Sequence, residues 1–397
     1  MYLPPITKTE IRDLVQRQVK LQSELKKIFN DPDSEKRLNK KYKPVEVAQL
    51  VNRSKTHIRR EENNDDNDLI PPPLISSNRR DGYTQEQIQT LREHFGTSPT
   101  LSDNDEPLIL SVQNFKGGVS KTTVAVHLAM YLSLRGYKTL LIDLDSQAST
   151  THTLGKIPDF DIKEEETLYN FFRKALNGEN VNMQDYVKSS YWKNLDFIPS
   201  NLSLYNSEYE IAGADLGAEK FALLYSGIEQ VIDNYHVVII DTPPALGMLS
   251  LNAIYAAMGC IIPCPPRMLD FTSTMQFFKM LDNVLTVLGD DLSYKFLKIL
   301  PTRKKARTQK NRDSDVMHME DNILELSYKH FGEYMLDNIF YETAALDWAS
   351  GENKTLFEIE EPKGSPQTQR NALKNINAVC AEIESLICKT WPSTSRV

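Results

Sequence analysis

The stretch Leu108-Ile109-Leu110-Ser111-Val112-Gln113-Asn114-Phe115-Lys116-Gly117-Gly118-Val119-Ser120-Lys121-Thr122-Thr123 runs from a short apolar segment, through paired glycines and two lysines, into the helical segment Val124 to Leu134. A strand feeding such a loop into a helix is the context in which phosphate is bound. Glycines let backbone N–H groups approach phosphate oxygens, and the helix N-terminus adds partial positive charge at the same place. Lys121 is placed to reach the outer phosphates and Thr122 to ligate magnesium. Lys116, Gly117, Gly118, Val119, Ser120, Lys121, Thr122 and Thr123 are therefore the expected nucleotide contacts. The pattern G-x-x-x-x-G-K-[ST] is broken at Phe115 and Ser120, and Lys116 is an extra cation.

Further short apolar runs follow at Thr139 to Ile142, Val237 to Ile240 and Gly259 to Ile262, with Phe296 to Leu300 another candidate. Runs of this kind alternating with helical segments predict βαβ units and a buried, mostly parallel, doubly wound α/β sheet. The first of these runs leads into Asp143-Leu144-Asp145 and the second into Asp241-Thr242-Pro243-Pro244. Ligands of open α/β sheets bind at that edge. Two-residue alternation places Asp143 and Asp145 on one side of the strand end, where one can hold magnesium through water and the other can orient an attacking water. Asp241 is expected to hold a magnesium-bound water, with Thr122 and one of Asp143 and Asp145 completing the metal set. Any one such aspartate could be only a helix cap.

The two-lysine loop resembles the deviant Walker A group of P-loop ATPases, which includes the ParA and MinD families. The resemblance to ParA extends through Ile198-Pro199-Ser200-Asn201-Leu202, Ile262-Pro263-Cys264-Pro265-Pro266 with Asp270, and Leu300-Pro301-Thr302, in the family's order. It implies a P-loop NTPase core that uses ATP and Mg2+, with Lys116 reaching across a homodimer to the partner's nucleotide. It makes Lys116, Lys121 and Asp145 catalytic, puts Asp143 on the metal side with Thr122 and Asp241, and places Pro265 and Thr302 at the base pocket. It further implies a slow ATPase and a DNA-partitioning role, with a centromere-binding partner of the ParB type setting where hydrolysis occurs. No arginine finger is evident in the sequence.

Ahead of this region the chain changes character. Lys8 to Phe29 repeats apolar positions at Ile11, Leu14, Val15, Val19, Leu21, Leu25 and Ile28, which predicts a docking or dimerisation helix. Lys36 to Glu62 is strongly basic, and Pro44 to Val51 followed by Ser54 as a cap for Lys55 to Arg60 outlines a helix-turn-helix. Its second helix presents Lys55, Thr56, Arg59 and Arg60, residue types suited to phosphates and base edges. Asn78 to Thr84 is read as a hairpin wing, and Thr84 with Gln87 as a capping box. The whole resembles the MerR-like winged module at the front of large plasmid-type ParA and RepA proteins, which implies operator binding and self-repression. A charged helix pair with solvated arginines is the plainer alternative. The expected division is 1–35 for the first helix, 36–98 for the DNA module, 99–107 for a linker and 108–397 for the ATPase.

The net charge of −8 argues against a chain coated in nucleic acid, so any DNA surface must be local. Arg303, Lys304 and Arg307 form the densest basic run of the C-terminal half, with Arg370 and Lys374 as rivals. The four cysteines form no C-x-x-C pair, and no apolar run has membrane-spanning length, so a cytoplasmic protein with no membrane partner is expected, and the resemblance to ParA implies nucleoid association. Two rivals stay open. A MinD-like spatial regulator needs an amphipathic C-terminal helix, for which Ile376, Val379, Ile383 and Leu386 are the stripe, although packing against the core suits them better; a nucleotide-tuned repressor needs only the N-terminal module.

Overall fold

A computed structural model describes residues 6–29, 36–64, 69, 71, 74–76, 79–288, 292–306, 315–361 and 364–394. The chain forms two compact units, Met1–Arg37 and Leu38–Val397. The first is the helix α1 (Lys8–Phe29), which leaves Ile11, Leu14, Val15, Val19 and Leu21 more than half exposed. The side chains of Leu25 and Ile28 lie outside the described set.

The second unit begins with α2 (Pro44–Leu50) and α3 (Lys55–Glu62). Proline opens α2, where its missing N–H costs nothing, and the Ser54 hydroxyl accepts the His57 N–H at 3.1 Å to cap α3. The short strands β1 (Leu74–Ser76) and β2 (Arg79–Arg80) pair antiparallel, earlier in the chain than the hairpin read at Asn78 to Thr84, a span whose Asn78 lies outside the described residues. Tyr83 instead bridges back to Tyr42, with N–H to carbonyl distances of 2.8 and 2.9 Å. A Cβ on Gly82 would stand 2.5 Å from the Lys41 Cβ, so this crossing needs glycine. The helix α4 (Gln85–Phe95) starts at a capping box in which Thr84 and Gln87 exchange bonds of 2.9 and 3.2 Å. Val47, Val51, Ile58, Ile88 and Leu91 make the small core of this module.

Next come β3 (Leu108–Val112), α5 (Lys121–Leu134), β4 (Thr139–Asp143) and α6 (Ser149–Thr153). The remaining strands are β5 (Lys188–Ser189), β6 (Leu195–Ile198), β7 (Val237–Asp241), β8 (Gly259–Cys264), β9 (Phe296–Lys305) and β10 (Phe340–Glu342). They form one sheet in the order β10-β9-β8-β3-β7-β4-β6-β5, parallel except for β5. Each strand from β3 to β8 that lies at the centre is buried throughout, because helices cover both faces. Leu110, Leu141 and Ile239 pack on one face against Val126, Met130 and Ile383, and Ile109, Ile142 and Val238 on the other against Phe172, Ile228 and Ala253. The C-terminal helix Pro366–Lys389 spends Ile376, Val379 and Ile383 in that first core. Beyond that helix the chain is held at Trp391 and Ser393: the Trp391 indole N–H donates to the Glu106 carbonyl, and Ser393 bonds Asp105.

Candidate nucleotide site

The loop between β3 and α5 is fixed from below by one amide. The Asn114 side chain donates to the Pro263 carbonyl at 2.8 Å and to the Thr274 hydroxyl at 3.0 Å, and its oxygen accepts the Lys116 N–H at 3.0 Å. From the β9 side the Thr302 hydroxyl donates to the Val119 carbonyl at 3.0 Å, and Arg303 Nη1 donates to the Gly118 carbonyl at 2.5 Å. Gly118 and Ser120 both have left-handed backbone, φ 74° and 79°. Glycine suits the first, but Ser120 stands where the common loop has glycine and carries a strain of order 1 kcal/mol. Lys121, buried at the start of α5, donates to the Lys116 carbonyl at 3.0 Å. Burial lowers its pKa, while Asp241 and Asp145 favour its charged form.

A cleft of about 480 Å³ opens over this loop. Gly117, Gly118, Ser120, Lys121, Thr122 and Thr123 line one side with Asp145, and Arg303, Glu342 and Asp347 lie opposite. The Asp145 carboxylate accepts the Gln147 N–H at 2.9 Å, and burial raises its pKa against the pull of that bond and of Lys121. Lys116 points its ammonium to Asp270 at 3.7 Å and remains two-fifths exposed.

Alternation had predicted Asp143 and Asp145 on one side of the strand end, but the strand stops at Asp143 and only Asp145 lines the cleft. Asp143 is fully buried and absent from the cleft lining; its Oδ2 accepts both the Thr151 N–H at 2.8 Å and the Thr151 hydroxyl at 2.6 Å. Asp241 Oδ2 accepts the Thr150 hydroxyl at 2.8 Å, but Asp241 Oδ1 is buried with no hydrogen-bond partner. Burial pushes the Asp241 carboxyl up to about 6, against the lowering effect of the Thr150 and Thr122 hydroxyls. An orphaned carboxylate oxygen near a threonine hydroxyl suits a hard cation carrying water ligands.

Pro265 and Thr302 are not among the residues lining the cleft, and Thr302 is buried with its hydroxyl spent on the loop. Lys304 is corrected as a DNA candidate: it is buried and paired with Asp321, since β9 runs on to Lys305 where a basic loop had been read. Arg303 turns to the cleft, and Arg307 lies outside the described residues. On α3, Lys55, Thr56, Arg59 and Arg60 are all exposed, and Ile58 faces the module's core. Residues that the sequence reading missed are Thr150 and Thr151, which grip the two carboxylates, and Glu342, which shapes the opposite wall together with Arg303, a residue read as a DNA contact. All four cysteines are free, and burial raises the thiols of Cys260, Cys264, Cys380 and Cys388. No helix among the described residues is long and apolar enough to cross a membrane.

A parallel sheet with this loop at the carboxyl end of a central strand defines a P-loop nucleoside-triphosphatase fold. Residues 108–294 match the family described as an AAA domain. Protein SopA of Escherichia coli (strain K12) is 32% identical over 372 residues, covering 91% of this chain and 93% of SopA. The sporulation initiation inhibitor protein Soj of Bacillus subtilis (strain 168) is 32% identical over 270 residues, 68% of this chain and 98% of Soj. A solved structure titled "Partition Protein" superposes with a TM-score of 0.64 over 95% of this chain and 99% of that one, at 18% identity. The chain belongs to the ParA family of partition ATPases. The family's cofactors, ATP and Mg2+, suit the donor set found at the loop.

Proposed function

We propose that this chain is an ATP-dependent DNA-segregation switch: a slow ATPase that dimerises on ATP, holds DNA in that state and releases it after hydrolysis. The observation that carries this reading is the convergence on one cleft of Lys121, Thr122 and Asp145, while Lys116, next in the chain to the cleft residue Gly117, is two-fifths exposed beside Asp270. Phosphoryl transfer depends on positioning and charge stabilisation. In that scheme Lys121 leaves the Lys116 carbonyl for the outer phosphates. Thr122 and Asp241 would hold magnesium, which would supply charge neutralisation at the phosphates. Asp145, fixed by the Gln147 N–H, orients the attacking water and takes its proton. Lys116 reaches the nucleotide of a second copy, which makes ATP the signal for dimerisation. A centromere-binding partner of the ParB type accelerates the step and so decides where DNA is released.

The exposed row Lys55, Thr56, Arg59 and Arg60 on α3 supports a second DNA activity, binding of an operator and repression of the chain's own operon. A protein acting chiefly as a nucleotide-tuned repressor is the alternative this row also supports. The burial of Ile376, Val379 and Ile383 disfavours the membrane-regulator reading. The deciding experiment measures DNA binding with ATP and with ADP, on a random duplex and on the region upstream of the chain's own gene. ATP is expected to promote binding to the random duplex, and Lys121→Ala to abolish that response. The pair Arg59→Ala, Arg60→Ala is expected to weaken only the upstream duplex. Indifference to nucleotide on both duplexes sinks the switch.

A further inference from the structure

The helix that opens at the phosphate loop ends against the N-terminal module, and one buried arginine joins them. Arg92, on α4, is 2% exposed. Its Nε donates to the carbonyl of Leu50, the last residue of α2, at 3.3 Å, and its Nη2 donates to the carbonyl of Leu134, the last residue of α5. Both acceptors sit at helix C-termini, where carbonyls lack intrahelical partners and the dipole favours a cation. Burial, with Arg135 nearby, lowers the Arg92 pKa to about 10, so it stays charged at neutral pH.

The surroundings are built for the same contact. A Cβ on Gly136, which has φ 103°, would stand 2.9 Å from Pro99 Cδ and 3.1 Å from Arg92 Cδ, so the turn after α5 lies directly on the arginine stem. Leu134 packs into the module's core. Gln85 accepts the Lys193 N–H at 2.9 Å and Gln89 accepts from the Asn194 side chain at 3.1 Å, seating α4 on the ATPase domain. Beyond Leu50 the chain passes through Asn52, at φ 52°, to Ser54, the cap of α3. Arg92 therefore anchors the turn that aims α3.

We propose that Arg92 is the positioning residue through which the nucleotide state at the loop reaches α3. Helix α5 has 14 residues and a length of about 20 Å, with Lys121 and Thr122 at one end and the Arg92 contact at the other. A shift of α5 on filling the loop is delivered, through Leu134 and Arg92, to Leu50 and the turn after it. This rests on the nucleotide and operator roles proposed above.

The test uses full-length wild type, Arg92→Met, which keeps the apolar stem without donors, and Arg92→Lys, which keeps the charge but lacks the planar fork that serves two carbonyls. Hydrogen exchange without DNA follows the amides from Val51 to His57 as ATP and magnesium are added. Wild type should change exchange there by about fivefold or more, and Arg92→Met should not respond while binding ATP within about twofold of wild type. On the upstream duplex, the ratio of affinities with ATP and ADP should fall to about 1 in Arg92→Met and lie between the two in Arg92→Lys. If Arg92→Met does not fold, Arg92→Lys decides alone. A wild-type exchange response that survives the substitution, or no response in wild type, overturns the proposal. A response in wild type with no affinity for the duplex overturns the operator reading of α3 and leaves the coupling standing.

Discussion

Asp143 and Asp241 are register partners at the ends of adjacent parallel strands, yet their oxygens are spent differently. Asp143 is bonded by Thr151 through its hydroxyl and N–H and by the Asp145 N–H, whereas Asp241 keeps Oδ1 unbonded. The Asp143 pKa stands well above the usual range because of burial first and the neighbouring Asp241 second. Asp143→Asn, which keeps an acceptor for Thr151, should leave hydrolysis within about threefold and raise the melting temperature by a few degrees, since it relieves about 1 kcal/mol or more of like-charge cost. Asp241→Asn should lower magnesium-dependent ATP binding about 10- to 100-fold. Titration of ATP with magnesium, alongside thermal melts, checks the pair; equal damage from both changes would mean that Asp143 also serves the metal.

Ser120 carries a conformation that glycine adopts freely. Ser120→Gly should remove that strain and stabilise the protein by about 1 kcal/mol, partly offset by the entropy of the freer unfolded chain. ATP binding should persist, because the loop's contacts to Asn114, Thr302 and Arg303 involve other residues. A melting temperature lowered by this change would show that the Ser120 side chain does more than fill the turn.

His127 sits one helical turn beyond Thr123, with Nδ1 2.7 Å from the Thr123 carbonyl and Nε2 accepting the Leu356 N–H at 3.2 Å. Burial lowers its pKa to about 4, so the folded protein holds it neutral, with the proton on Nδ1. The unfolded chain binds that proton near pH 6.5, so the contribution to stability is complete above 6.5 and is lost as pH falls towards 4, by about 3 kcal/mol in all. Denaturant melts between pH 7 and pH 5 should show about 2 kcal/mol of this loss in wild type and a flatter profile in His127→Gln. Identical profiles would assign the acid sensitivity elsewhere.

Lys116 rests on Asp270 of its own chain. A partly exposed ion pair at 3.7 Å is worth about 1 kcal/mol. Asp270→Ala should therefore free Lys116 for a second copy and favour ATP-dependent dimerisation by about fivefold, read by sedimentation velocity or light scattering across ATP concentration. Weaker dimerisation would mean that Asp270 orients Lys116 for the crossing rather than restraining it.

The nucleotide loop was legible because its chemistry is contiguous: Lys116 to Thr123 follow a strand and open a helix without interruption. Asp145 and Asp241 could be found because each follows an apolar run. The grip of Thr150 on Asp241 was hidden, since the two are 91 residues apart and meet only through the pairing of β4 with β7. The strand Phe340–Glu342 has three residues and no alternation to detect, yet it supplies the wall facing the loop. Arg303 and Lys304 were read as basic loop because charge was the visible signal; burial of Lys304 against Asp321 belongs to the tertiary fold. Arg92 looked like one more charged residue on a helix whose partners, Leu50 and Leu134, carry no mark in the sequence as acceptors.

The central strand of the sheet is also the first of it to be synthesised. β3 takes its neighbours from β7 and β8, so Leu108–Val112 waits for Val237, about 125 residues later, before one edge is paired. At ordinary elongation rates that delay is on the order of ten seconds. Throughout it the nascent chain presents an apolar, unpaired ribbon outside the ribosome, and the phosphate loop attached to it has no platform. Chaperone occupancy during translation is therefore expected to peak before Asp241 emerges and to fall as β7 docks.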